Sequence, residues 1–390
     1  MKSNKLGVNT VCTHVGEIKD EQFKGAISPL YMSSSYAYEN VEVKRYPRYF
    51  NTPNQEALGK KIAALEHCEA GMIFGSGMAA VSTAMLAFLQ SGDHVVVQKT
   101  IYGGAYNFMV EEFPKYGIEF DFTEGFSEDD FASKMKENTK VIYIETPSNP
   151  LMLITDLEMI SRLARKHGLI SMIDNTFASP INQNPADFGI DVIIHSATKY
   201  MGGHSDICAG AVATSNEYMN KIWHLGKNLG GSLSDYTVWL LERSIKTMGI
   251  RVKAQNKNAR KLAKWLELHP LVEKVYYPGL RTHPDHETAK KQMKGYTGML
   301  SFELVPSIDP QQFMENLLLI KQSMSLAGVE STILSPSKTS HALLSAEERK
   351  RQGIADGLLR FSVGIEDKKD LIADFEQAFE AVAKKQLQNL

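Results

Sequence analysis

The apolar run Val192-Ile193-Ile194-His195 ends in Ser196-Ala197-Thr198-Lys199. A lysine set directly after a buried strand, flanked by two hydroxyls, suits an enzyme that holds an aldehyde as a Schiff base and grips a phosphate beside it. Taken alone, a solvated lysine at a strand-to-loop junction is the simpler reading. Asp174 closes a second apolar run, Leu169 to Ile173, where a carboxylate is costly unless paired. Its own segment offers no lysine or arginine, so it needs a cationic partner from elsewhere; a capping aspartate would explain it equally well. Gly75-Ser76-Gly77 separates Met72-Ile73-Phe74 from Met78-Ala79-Ala80, and free N–H groups at a helix N-terminus bind phosphate. The turn is neither a dinucleotide fingerprint nor a Walker sequence. Tyr102 precedes Gly103-Gly104 and either stacks on a flat ring or forms a rim. In Arg45-Tyr46-Pro47-Arg48-Tyr49, two arginines with no acid among the five residues suggest anion contact or a solvated loop.

The elements that must position these residues follow a repeated pattern. Short apolar runs (72–74, 95–97, 141–144, 169–173, 192–194) each end in a polar cluster, and helical stretches such as Leu157 to Lys166 separate several of them. That alternation predicts an α/β fold with a mostly parallel sheet flanked by helices. Ligands in such sheets bind outside the carboxyl ends of the strands, where all the polar clusters would lie. Residues 1–53 read as an N-terminal arm that packs on a neighbouring subunit. Residues 54–248 read as the main domain, and 249–390 as a smaller C-terminal α+β domain with strands near 298–304 and 358–363.

Composition narrows the class. The 390 residues are 43% hydrophobic and 23% charged, with a formal net charge of -2. This is ordinary globular composition and gives no electrostatic footprint for nucleic acid. No 18-residue apolar run suggests a membrane span. Cys12, Cys68 and Cys208 form no ligand pattern, and His195 and His204 lack a third ligand, so no metal is expected and a reduced cytoplasmic setting is.

The order of motifs resembles that of the Cys/Met-metabolism family of pyridoxal-phosphate enzymes, which includes cystathionine γ-lyase, γ-synthase and β-lyase and methionine γ-lyase. Tyr-x-Arg, Gly-Ser-Gly-Met, Tyr-Gly, Glu-Thr-Pro-Ser-Asn-Pro, Asp-Asn-Thr, Ser-x-Thr-Lys and Arg-x-Ser-Val-Gly-Ile-Glu occur in sequence over nearly the whole chain. The resemblance implies a type I (aspartate aminotransferase-like) fold, pyridoxal 5'-phosphate as cofactor, and a homotetramer built from active dimers. It implies Lys199 as the Schiff-base lysine, Asp174 as partner of the pyridine nitrogen, Tyr102 on the ring and Asn149 on the ring hydroxyl. Gly77, Met78, Ser196 and Thr198 would hold the phosphate, joined by Tyr46 and Arg48 from the adjacent subunit. Ser325 and Arg360 would bind the substrate carboxylate, with Tyr46 also near substrate. Tyr102 would act as acid–base partner of the leaving group, its pKa lowered by positive charge. Arg45, Asn107 and Met324 stand where several members carry charged residues that contact the distal end of cystathionine. These departures argue against a strict cystathionine enzyme, and Met324 would admit a plainer thioether or thiol. Gly104 stands where methionine γ-lyases carry cysteine. The expected activity is carbon–sulfur cleavage of cystathionine, homocysteine or cysteine to thiol, keto acid and ammonia. The alternatives are γ-replacement, as in cystathionine γ-synthase or O-acetylhomoserine sulfhydrylase, and methionine γ-cleavage.

Overall fold

In the computed structural model, which describes residues 6–339, 347, 349 and 353–388, the apolar runs form one sheet. Its strands are β1 (Ala70–Phe74), β2 (His94–Val97), β3 (Glu119–Phe122), β4 (Thr139–Glu145), β5 (Ile170–Asp174), β6 (Val192–His195) and β7 (Gly210–Thr214). They lie in the order β1-β7-β6-β5-β4-β2-β3. The pairs β3·β2, β2·β4, β4·β5 and β5·β6 are parallel, while β7 runs antiparallel to both neighbours. The central strands are apolar on both faces. Val141 and Tyr143 enter one core layer with Val81 and Ala84 of helix Gly77–Leu86. Ile142 and Ile144 enter the other with Leu157, Ile160 and Leu163 of helix Leu157–His167. A strand buried on both sides must sit inside a sheet covered by helices on each face.

A second sheet is antiparallel except at its short edge strand. It comprises β8 (Val272–Tyr276), β9 (Met299–Leu304), β10 (Lys321–Gln322), β11 (Thr332–Leu334) and β12 (Leu358–Ser362), in the order β10-β11-β12-β9-β8. Helix Lys368–Gln388 and the distal half of helix Met248–Leu266 cover it, packing Phe375, Phe379, Leu262 and Leu266 against Leu300, Phe302 and Phe361. Hydrogen bonds tie the two sheets together at their seam. Tyr200 Oη meets Thr297 Oγ1 at 2.9 Å and accepts from Gly298 N at 2.9 Å, and Thr297 Oγ1 donates to Phe177 O at 2.7 Å. This seam lies one residue from Lys199.

Before β1 the chain forms helix Val8–His14 and a long irregular stretch, then helix Pro53–Leu65. The latter begins with a capping box: Thr52 accepts from Gln55 N while the Gln55 side chain accepts from Thr52 N.

Candidate active site

The carboxyl ends of β4 and β5 place two acids side by side, since Glu145 and Asp174 are register partners. Both follow the parity of Tyr143 and Met172, so they face helix Gly77–Leu86. Glu145 is buried, and its Oε2 and Oε1 accept from Tyr102 N at 2.6 Å and Asn149 N at 3.0 Å. Burial, then the charge of Asp174, pushes its carboxyl well above the usual range, against the two backbone donors and Arg360. Asp174 is also buried, and burial raises it while bonds from Thr176 and the charges of His195 and Lys199 oppose the rise. Its hydrogen bonds come from Thr176 alone among the described residues, including Thr176 N to Oδ1 at 3.0 Å.

Lys199 follows β6 in a turn closed by Gly202 N to Ala197 O at 2.8 Å and Gly203 N to Lys199 O at 2.7 Å. Its Nζ crosses to the segment before β11 and donates to Ser325 Oγ at 2.7 Å. Ser325 sits in the left-handed region at φ 75°, a conformation non-glycine residues hold only where surroundings impose it. That backbone turns the Ser325 carbonyl to Arg360, whose Nη2 donates to it at 3.1 Å while Nη1 donates to Asn149 Oδ1 at 3.0 Å. Desolvation, then the charge of Arg360, lowers Lys199 to about 8. Burial lowers Arg360 to about 10, against the pull of Glu145 and Tyr102.

Across from these, Ser76 caps helix Gly77–Leu86 by accepting from Ala79 N at 3.0 Å. The N–H groups of Gly77 and Met78 are the first two of the helix and have no acceptor within it. A side chain at Gly77 would collide with Ser196, since a Cβ there would lie 2.8 Å from Ser196 Cβ and 2.9 Å from Ser196 Oγ. The glycine thus lets the helix start approach Ser196 closely, which sets its backbone donors beside a hydroxyl. Thr198 Oγ1 donates to Ala209 O at 3.1 Å and accepts from Ala209 N at 3.0 Å, so its one proton is already held and the loop that carries it is fixed. A phosphate cradle, a buried carboxylate short of a cationic partner and a partly desolvated lysine together fit pyridoxal phosphate.

Other expected residues lie apart from this group. Tyr46 and Arg48 contact Tyr49, Asn51 and Lys227, and none of the cradle residues. Arg45 is ion-paired to Glu56 at 2.9 Å and donates to Asn51 O, so its charge is neutralised within its own chain. Met324 is 70% exposed, and Asn107 is half-buried at the end of helix Gly103–Asn107. Tyr102 differs from expectation. Its hydroxyl is pushed up, by burial first and then by Asp174 and Glu145, with Arg360 alone opposing. Two carboxylates outweigh one guanidinium there. Gly104 is needed by that tyrosine: a Cβ at 104 would lie 2.5 Å from Tyr102 Cε1.

Two positioning residues were not singled out from sequence. Glu145 could have been, because like Asp174 it ends an apolar run. Arg251 carried no such signal. It is buried in helix Met248–Leu266 and donates from Nη1 to Tyr200 O at 3.0 Å and from Nη2 to Ser244 O at 2.9 Å, holding the loop after Lys199. His195 is bound by Glu66 at 2.5 Å on the far side of the sheet, and no group of three or more His, Cys, Asp or Glu able to hold a metal occurs among the described residues.

Comparison with known proteins agrees with this geometry. The family described as Cys/Met metabolism PLP-dependent enzyme matches residues 9–380. A cystathionine γ-lyase of Bacillus subtilis (strain 168) is 43% identical over 96% of this chain and 99% of its own. A cystathionine β-lyase of Lactococcus lactis subsp. cremoris (strain MG1363) is 42% identical over 94% and 97%. The solved structure of cystathionine γ-lyase from Lactobacillus plantarum complexed with L-serine superposes with a TM-score of 0.94 at 38% identity, covering 97% of this chain and 100% of that one. The fold is therefore the type I fold of pyridoxal-phosphate enzymes, and the chain belongs to the Cys/Met metabolism PLP-dependent enzyme family.

Proposed function

We propose that the protein is a carbon–sulfur lyase that cleaves cystathionine, homocysteine or cysteine, with cystathionine as first candidate. The observation that carries the reading is the Lys199–Ser325–Arg360 contact chain, which sets an amine beside a guanidinium fixed for a carboxylate. Arg360 binds the α-carboxylate of the amino acid, its two nitrogens already aligned by Asn149 and Ser325. With its amine free, Lys199 Nζ would take the proton from Cα. Pyridoxal phosphate, when bound, supplies the ring that accepts the electron pair left at Cα. Asp174 holds the proton on the ring nitrogen, and its burial strengthens that contact. Burial and the carboxylates raise the Tyr102 pKa, so its phenol is protonated at neutral pH and Tyr102 Oη is in the form that can give a proton to the departing sulfur. A sulfur on Cβ is expelled by the pair left at Cα. For a sulfur on Cγ, Lys199 Nζ, once it has passed on the first proton, also takes one from Cβ, and the pair left there expels the thiol. Water then releases keto acid and ammonia. A side chain at 104 and the present Tyr102 ring exclude one another, so the chain lacks the cysteine associated with methionine γ-lyases, which counts against methionine as substrate.

The reading includes an active dimer, within a tetramer, in which Tyr46 and Arg48 complete the partner's phosphate site. Phe23, Met32 and Tyr38 in the arm are 70% exposed or more, an apolar load that a neighbouring subunit would cover. No helix among the described residues is long and apolar enough to cross a membrane. Three unpaired thiols favour a reducing compartment, and we place the enzyme in the cytoplasm.

The test is product identification with cystathionine, cysteine, homocysteine, methionine, and O-acetylhomoserine plus sulfide, using Lys199→Ala as control. Pyruvate from cystathionine marks β-cleavage and 2-oxobutanoate γ-cleavage. Turnover of methionine alone, replacement chemistry alone, or an active Lys199→Ala variant would overturn the proposal.

A further inference from the structure

Far from Lys199 in sequence, helix Met248–Leu266 carries Lys253, Lys257, Arg260, Lys261 and Lys264 along one exposed edge. These line a groove of about 510 Å³. Lys294 reaches it from the turn before β9 and Lys368 from the start of helix Lys368–Gln388. Three separate segments thus bring cations to one concavity, and no aspartate or glutamate lines it. Among the described residues none of the seven lies within 4.0 Å of a carboxylate; Lys294 bonds only the neutral Asn184 Oδ1, at 2.6 Å. Neighbouring lysines are treated differently, since Lys290 and Lys291 are paired with Glu287 and Glu158.

The spacing makes the cluster unfavourable by itself. The pairs 253/257, 257/260, 257/261, 260/264 and 261/264 place like charges three or four residues apart, where helix side chains are neighbours and repel. In a chain whose formal net charge is -2, such an unrelieved local excess points to a counter-charge that is not part of the chain. The helix edge from Lys253 to Lys264 runs roughly 16 Å at about 1.5 Å per residue. That length suits several linked phosphates better than one. The floor adds Tyr296, half-buried, whose ring meets Tyr277 edge-on at 6.4 Å between centroids; it offers a flat surface to a base or sugar.

We infer that this groove binds a small polyphosphorylated anion, a nucleoside triphosphate or an inorganic oligophosphate, at a site separate from the cofactor's phosphate cradle. The proposal is independent of which sulfur amino acid the enzyme cleaves. It is tested by isothermal titration calorimetry of the holoenzyme, whose cradle is already filled, against ATP, tripolyphosphate and inorganic phosphate. Both triphosphates should bind saturably and at least tenfold more tightly than phosphate, and raising the salt concentration should weaken them. ATP binding more tightly than tripolyphosphate would identify a nucleotide as the ligand; the reverse would identify an oligophosphate. The double variant Lys257→Glu/Lys264→Glu turns all five repulsive pairs into attractive ones, so it should fold with an unchanged or higher Tm and retain C–S lyase turnover. Its triphosphate affinity should fall tenfold or more. Absence of saturable binding, equal binding of phosphate and triphosphate, or undiminished binding by the double variant would overturn the inference.

Discussion

Desolvation and the nearby Arg360 bring Lys199 down to about 8, so about a tenth of the amine is uncharged at pH 7, far more than for an ordinary lysine. A nucleophilic amine must be unprotonated, and the neutral fraction falls roughly tenfold for each pH unit below the pKa. The rate at which apoprotein takes up pyridoxal phosphate, followed by visible absorbance, should therefore rise with pH up to about pH 8 and level off above it. A rise continuing to pH 10 would mean that Lys199 behaves as an ordinary exposed lysine. Tyr102 titrates the other way: its pKa is raised, which fits donation of a proton and not its removal. The candidate cradle residues and the lysine stood out in the sequence because each follows an apolar run. Glu145 carried the same signal as Asp174 but no sign of its role, and Arg251 carried neither, since nothing in a sequence marks a carboxylate or guanidinium as facing main chain.

At the scale of elements, the meeting of β1 with helix Gly77–Leu86 is where the proposed phosphate site lies. Gly77→Ala would place a methyl group within 3.0 Å of Ser196, and either the helix start or Ser196 must shift. Cofactor affinity, measured by equilibrium dialysis, should drop at least about tenfold, equivalent to about 1.4 kcal/mol, while far-ultraviolet circular dichroism stays unchanged. Equal affinity would show that the backbone donors are not the phosphate contacts. The strands that feed this edge were readable from sequence because they are apolar on both faces. The strands left unread differ for physical reasons. β3 alternates charged with aromatic residues at the sheet edge, β8 carries Glu273 and Lys274 facing solvent, and β7 is a run of small residues that reads as a loop beside Gly210. Helix Val8–His14 contains two valines and two threonines, poor helix formers, and is held by burial of Val11 and Cys12.

For the whole molecule, the arm is the test of shared sites. Arg48 stacks near Tyr46 and Tyr49 and touches none of its own chain's cradle residues. If it serves the partner, Arg48→Ala should weaken cofactor binding about tenfold, as expected for loss of a charge-assisted hydrogen bond. Sedimentation should still show a dimer or tetramer. An unchanged dissociation constant would mean that each chain completes its own site. The two-sheet plan matters in the same way. Lys199 Nζ belongs to the first sheet's edge and Ser325 Oγ to the second's, so the amine sits at the junction that the long helix Met248–Leu266 spans.

Glu145 holds Tyr102 and Asn149 by their backbone N–H groups, not by their side chains. A grip on main chain is indifferent to which residue type occupies the gripped position. Mutation can thus replace the phenol or the amide without loosening the loops that display them. Such a scaffold can drift toward new substrates one side chain at a time, with its framework intact at every intermediate.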